Sequence, residues 1–134
     1  MSADVWYFDS SALVKIVIQE PESKALAAWV EGKERLVACE LVRVEVVRAV
    51  RLSDPAAVPR AYQAIETLAL VRLDDALYGV AADLDPPFLR SLDAVHLAAA
   101  IAVGSELAGV VTYDARMQDG ARQLGLQVES PGID

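Results

Sequence analysis

Cysteine and histidine are almost absent: Cys39 and His96 are the single examples of each in 134 residues. A lone cysteine rules out an intramolecular disulfide and agrees with a reducing compartment, and as a small apolar side chain Cys39 reads as a core residue. One histidine and no Cys-x-x-Cys pair exclude a structural zinc site. Long apolar runs are missing too. Nothing reaches the roughly 20 residues that a membrane helix needs. The opening MSADVWYFD shows no basic leader before the first strand pattern, so the expectation is a soluble, cytoplasmic chain without membrane association. Basic residues are outnumbered, 12 against 20 acids, for a formal net charge of −8. A polyanion is repelled at long range by such a balance, which excludes a broad nucleic-acid coat unless cations or a local basic patch intervene. A pocket of clustered carboxylates loaded with a hard divalent cation is not excluded. Repeats, low-complexity tracts and linkers are absent as well, so residues 1–134 read as one domain with enough apolar content to bury a sizeable core.

What the chain does have is alternation. Short apolar runs at Val5–Phe8, Arg35–Ala38, Leu70–Leu73, Gly109–Tyr113 and Gln127–Glu129 are separated by longer helical patterns. The helices read as Ser11 to about Gln19, Glu22–Glu31, about Glu40–Leu52, Ala57–Leu68, Ala76 to about Leu84, Leu92–Val103 and Ala115–Leu124. Pro21, Gly32, Asp54-Pro55, Asp85-Pro86-Pro87 and Gly104 stand at or between their ends, where helix breakers belong. Five strands alternating with about seven helices predict an α/β fold with a parallel sheet, flanking helices and right-handed crossovers.

Acids sit at telling places in that pattern. Asp9 ends the first strand and Asp114 ends the fourth, each directly before a helix. Either one alone reads as a helix cap, since Asp is a favoured N-cap residue. Asp74 and Asp75 follow the third strand in the same way and read as caps. Glu45 shares a helix face with Leu41, Val42, Ala49 and Leu52, so it interrupts an apolar stripe and must be paired, protonated or bound to a cation. A salt bridge to Arg48 is the plain alternative. Asp93 lies in the first turn of the most apolar helix, where the helix dipole favours an acid by roughly 0.3–1 kcal/mol. His96, three residues on, reads as a supporting or core histidine rather than a ligand, because Mg²⁺-type sites prefer oxygen. If the first and fourth strands are neighbours, Asp9 and Asp114 flank the crevice where the sheet order reverses. Carboxylates gathered there repel by on the order of 4 kcal/mol for a pair at about 4 Å and an effective dielectric near 20. One or two Mg²⁺ or Mn²⁺ ions would relieve that repulsion and support metal-assisted hydrolysis or phosphoryl transfer. Ser10 and Ser11 are placed to orient Asp9 or a bound phosphate.

Those residues resemble a known family. Phe8-Asp9-Ser10-Ser11-Ala12-Leu13-Val14-Lys15 and Glu40-Leu41-Val42-Arg43-Val44-Glu45-Val46-Val47 resemble the first two motifs of PIN domains. Leu92-Asp93-Ala94-Val95-His96-Leu97-Ala98 and Val111-Thr112-Tyr113-Asp114 resemble the third and fourth, and Ala121 to Val128 the usual ending. The likeness spans essentially the whole chain and points within the family to VapC-type toxins. It implies a three-layer α/β/α sandwich around a parallel sheet of about five strands in the order 3-2-1-4-5. It also implies a Mg²⁺- or Mn²⁺-dependent endoribonuclease cutting RNA, a homodimer, and a cognate VapB-like antitoxin that covers the acidic pocket. It makes Asp9, Glu45, Asp93 and Asp114 the metal-binding and catalytic acids, with Ser11 and Thr112 as polar supports. Two departures matter. Cys39 stands where relatives often carry Ser or Thr before the third helix, which implies a weaker cap. Arg116 and Met117 stand where some carry a further acid, which leaves Glu40 and Asp119 as substitutes for a second metal site.

Other readings make different demands on the residues. A receiver-like phospho-accepting domain needs an acid pair after the first strand and a Lys after the fifth; Asp9 stands alone and the chain ends Ser130-Pro131-Gly132. A haloacid-dehalogenase-type phosphatase needs a second Asp two residues after Asp9, where Ser11 stands. A catalytically silent partner-binding module does not need four acids. Lys15, Arg43, Arg48, Arg51, Arg90 and Arg116 are candidates to hold RNA phosphates only if they cluster in space; otherwise they are solvated helix faces.

Overall fold

The computed structural model describes residues 3–133. Among these, five strands and seven α-helices follow one another as β1 (Val5–Phe8), α1 (Ser10–Val17), α2 (Ser23–Val30), β2 (Arg35–Cys39), α3 (Val42–Ser53), α4 (Val58–Glu66), β3 (Ala69–Val71), α5 (Asp75–Asp83), α6 (Ser91–Ala102), β4 (Leu107–Val111), α7 (Ala115–Gln123) and β5 (Val128–Glu129). All pairings are parallel and the order is β3-β2-β1-β4-β5, as the resemblance implied. The order reverses between β1 and β4, so the crevice at the carboxyl ends of these two strands is the switch point of the sheet.

Both faces of the sheet are covered, so the inner strands are apolar on both sides. Neighbouring residues of each strand divide between two cores. Phe8, Ala38 and Val111 join Leu13, Leu26, Val42, Val46, Val50 and Ile65 on the face carrying α1 to α4. Tyr7, Cys39 and Val110 join Leu77, Leu97 and Met117 on the face carrying α5 to α7. The result is a three-layer α/β/α sandwich.

Two strands end earlier than their apolar runs suggest. Leu70–Leu73 is expected as a strand, but β3 stops at Val71, because the Leu73 amide donates to the Glu40 carboxylate at 2.8 Å instead of continuing the ladder. The Gly109–Tyr113 run stops at Val111: the Thr112 carbonyl accepts the Ser130 hydroxyl and the Tyr113 amide donates to the Ser11 hydroxyl. No helix among the described residues is long and apolar enough to cross a membrane.

Gly109 is the tightest point of the sheet. It lies opposite Trp6, whose ring stands edge-on to Trp29 at 4.8 Å. A Cβ at position 109 would sit 2.7 Å from both the Gln127 carbonyl and the Trp6 ring. The carbonyl is main chain and cannot swing away. Gly109→Ala should therefore lower the melting temperature, with a cost of about 1–3 kcal/mol as for other overpacked sites, whereas Gly79→Ala, which meets open space inside α5, should not.

Candidate active site

Asp9 follows the last residue of β1 and is 3% exposed. Its extended backbone makes it the N-cap of α1, where Oδ1 accepts the Ala12 amide at 3.1 Å. Capping uses only part of the carboxylate. Oδ1 also accepts the Ser11 hydroxyl at 2.6 Å, and Oδ2 accepts the Thr112 hydroxyl at 2.5 Å. Those two hydroxyls in turn accept the amides of Tyr113 (2.9 Å) and Asp114 (3.1 Å). The end of β1 is thus tied through two side chains to the chain leaving β4. Burial pushes the Asp9 carboxyl above its ordinary range, although the Ser11 and Thr112 hydrogen bonds pull the other way.

Glu45 reaches the same crevice from α3. Oε1 accepts the Ser10 hydroxyl at 2.7 Å and faces His96 Nε2 at 2.7 Å, and the side chain is 26% exposed. Burial works to raise its pKa, and the His96 and Ser10 hydrogen bonds outweigh burial to leave it lowered. The expected alternative partner, Arg48, forms no ion pair with it. His96 is 3% exposed, and its second nitrogen, Nδ1, meets the Tyr7 hydroxyl at 2.8 Å and the Cys39 sulfur at 3.7 Å. Burial opposes charge on the imidazole, yet Cys39 and Glu45 together push it up to about 10. His96 is therefore the buried cation that holds Glu45, in keeping with a supporting rather than a ligating role.

Asp114 caps α7, with Oδ1 accepting the Arg116 amide at 2.8 Å and the Met117 amide at 3.4 Å. Asp93 sits in the first turn of α6, half-buried. Its carboxyl is raised, first by burial and then by the charge of Asp114, while His96, Arg90 and Arg116 pull it down. These couplings link the four acids into one electrostatic system around the β1/β4 switch point. Among the described residues, no three Asp, Glu, His or Cys side chains are grouped so that they could hold a metal ion together.

The two substitutes for a further acid part company. One oxygen of Glu40 is engaged with the Leu73 amide, between β2 and the approach to α5. Asp119 is exposed on α7 and lines a cavity with Asp93. Asp74 caps α5 through the Leu77 amide at 2.9 Å. Cys39 caps nothing: α3 has no side-chain cap, and the thiol is buried against His96. Tyr7 is the participant that the sequence reading missed. In a buried strand a tyrosine looks like one more core aromatic, and the only available signal was that its hydroxyl needed a partner.

Two outcomes follow from these charges. The folded pKa of His96 lies above the ordinary 6.5, so its contribution to stability is complete below 6.5 and lost as pH rises through about 10. His96→Gln should lower the melting temperature at neutral pH and flatten the loss of stability between neutral pH and about 10. Asp93 gives a pH dependence of the same sign, but there the form the fold favours is the neutral one. Its folded pKa is raised from 3.8, so the folded state is favoured with the carboxyl protonated and loses stability as pH rises past that value. Without divalent ions, Asp93→Asn should melt above wild type at neutral pH, with the difference fading below pH 3.8.

Comparison with known proteins gives a consistent answer. The PIN domain family model matches residues 6–123. The chain is 40% identical over 131 residues to "Ribonuclease VapC47" of Mycobacterium tuberculosis (strain CDC 1551 / Oshkosh), covering 94% of this chain and 96% of that one. It is 41% identical over 125 residues to "Ribonuclease VapC46" of Mycobacterium tuberculosis (strain ATCC 25618 / H37Rv), covering 93% and 96%. Among solved structures, PAE2754 from Pyrobaculum aerophilum superposes with a TM-score of 0.62 at 21% identity, over 90% of this chain and 81% of that one, a likeness of fold. Motifs, sheet order and relatives agree: the chain belongs to the PIN domain family and, within it, to the VapC type.

Proposed function

We propose that this chain is a Mg²⁺- or Mn²⁺-dependent endoribonuclease and the toxin of a toxin–antitoxin pair. The observation that carries the reading is geometric: Asp9 and Asp114 follow the neighbouring strands β1 and β4 and are tied together through Ser11 and Thr112, with Glu45 joined to the adjacent Ser10. Relatives 39–41% identical carry the name ribonuclease VapC, which supports the same activity here.

A hard divalent cation fits these residues on two counts. All four donors are carboxylates, the ligands such ions prefer. Asp93 is also raised by its neighbour Asp114, so the site carries repulsion that a bound cation would relieve. An ion of this kind keeps several of its own waters and needs only one or two carboxylates, so a closed protein cage is not required. Asp9, Glu45, Asp93 and Asp114 would hold it, and when bound it would supply an activated water and offset charge on the phosphodiester undergoing in-line attack. Ser11 and Thr112 fix both oxygens of Asp9 in place. Ser10 and His96 hold Oε1 of Glu45, which leaves Oε2 free of protein donors among the described residues.

A VapB-like antitoxin is the proposed partner, covering the acidic crevice. The proposed assembly is a homodimer, supported by a mean hydropathy of +0.31 and by exposed Leu52, Tyr62, Tyr78 and Val80. A receiver-like signalling domain falls behind on topology, since that fold runs 2-1-3-4-5 and Asp74 here is a helix cap.

Cleavage of total RNA with and without Mg²⁺ tests the reading. Wild type should cut in Mg²⁺ or Mn²⁺ and stop in chelator, and Asp93→Asn should lose that activity while keeping its fold. An Asp93→Asn protein that cuts RNA as well as wild type would refute the assignment.

A further inference from the structure

Basic side chains are scarce in this acidic chain, and their placement is uneven. Lys15 is taken up by Glu22 at 2.5 Å and Glu20 at 3.4 Å, and Arg35 by Asp4 and Glu106. Arg90 and Arg116 form no ion pair among the described residues, as is true of several arginines here, but these two line one cavity with Asp93. Arg90 immediately precedes α6 and Arg116 is in the first turn of α7, so each stands within three residues of a candidate acid, Asp93 or Asp114.

The same two arginines line a cavity of about 210 Å³ together with Phe88, Asp93 and Asp119. Phe88 is 83% exposed. A single exposed phenylalanine carries no meaning alone; this one shares a cavity with two cations and a candidate catalytic acid. The cavity is smaller than the roughly 300–1,000 Å³ clefts of drug-sized ligands, so it suits one flat group rather than a long chain. An aromatic face flanked by cations is the arrangement that single-stranded nucleic acid uses: the base stacks on the ring and the phosphates meet the cations. An acidic peptide would meet the same two cations but would bring no base to stack on Phe88.

We propose that Phe88, Arg90 and Arg116 form a nucleotide subsite that seats one unpaired RNA base beside the scissile phosphate. Phe88 stacks on the base, and the two arginines hold the adjoining phosphates as the strand crosses the acidic crevice. Stacking on Phe88 tolerates any base, so the subsite selects for single-stranded, flexible RNA. It rests on the ribonuclease reading and adds to it the part of the substrate that the acids do not touch.

The test uses fluorescein-labelled single-stranded oligoribonucleotides, intact or with one abasic position, in cleavage assays with Mg²⁺ and in binding titrations over a range of salt. Phe88→Ala should raise KM and weaken binding of the intact strand roughly 10- to 100-fold, and Phe88→Trp should restore both. Against the strand whose abasic position falls at the subsite, wild type and Phe88→Ala should bind alike. Arg90→Gln and Arg116→Gln should each reduce the salt slope by about 0.7. The subsite is refuted if wild type cleaves RNA and these variants match it in KM, affinity and salt slope. It is refuted equally if they lose only antitoxin binding, which would make the cavity a protein-docking site. A wild type that neither binds nor cleaves RNA would instead overturn the ribonuclease reading itself.

Discussion

A carboxylate buried at the end of the central strand must have its oxygens satisfied from all sides, and that requirement shapes the whole crevice. Asp9 is held by donors from the residues after it and from Thr112, which is over a hundred positions away in the chain. The bond to Thr112 exists only because β1 and β4 are neighbours, and the loop leaving β4 is shaped by it. An unmatched buried carboxylate is costly enough that this hydrogen-bond set must assemble with the fold rather than after it. No buried side-chain polar atom among the described residues lacks a partner.

From that anchor the site grows outward through Ser10, His96 and Tyr7, which hold Glu45 in place directly or through one another. Ser10, next to Asp9, reaches Glu45 on α3; Glu45 meets His96 on α6; His96 closes onto Tyr7, two residues before Asp9 on β1. The path leaves β1, visits both helical layers and returns to the same strand. His96 is buried and Glu45 partly so, and removing one partner of such a pair generally costs more than the pair contributes. The lone histidine of the chain is thus explained by what holds an acid in place.

The architecture was legible in the sequence because parallel strands covered on both faces read as short apolar runs, and because Pro, Gly and Asp punctuate them. Strand order was not derivable from periodicity; it came with the resemblance, and the pairing of Tyr7 with Val110 and Val37 agrees with it. Asp9 and Asp114 were visible by position, and Glu45 by its break in an apolar stripe. Three things were not legible. The partner of Glu45 lies on another helix, so local spacing favoured Arg48. The hydroxyl of Tyr7 matters only through a contact 89 residues away. Arg90 and Arg116 become distinct from the other arginines only when α6 and α7 bring them to one cavity.

The central claim is that these four acids form one cation site, and Mn²⁺ titration followed by NMR tests it most directly. Bound Mn²⁺ broadens the amide signals nearest to it. The account predicts that substoichiometric Mn²⁺ erases the amides around Asp9, Asp93 and Asp114 first, and that excess Mg²⁺ brings them back. Broadening spread over unrelated acids such as Asp54, Glu66 and Asp74, with the crevice amides no more affected than the rest, would contradict it.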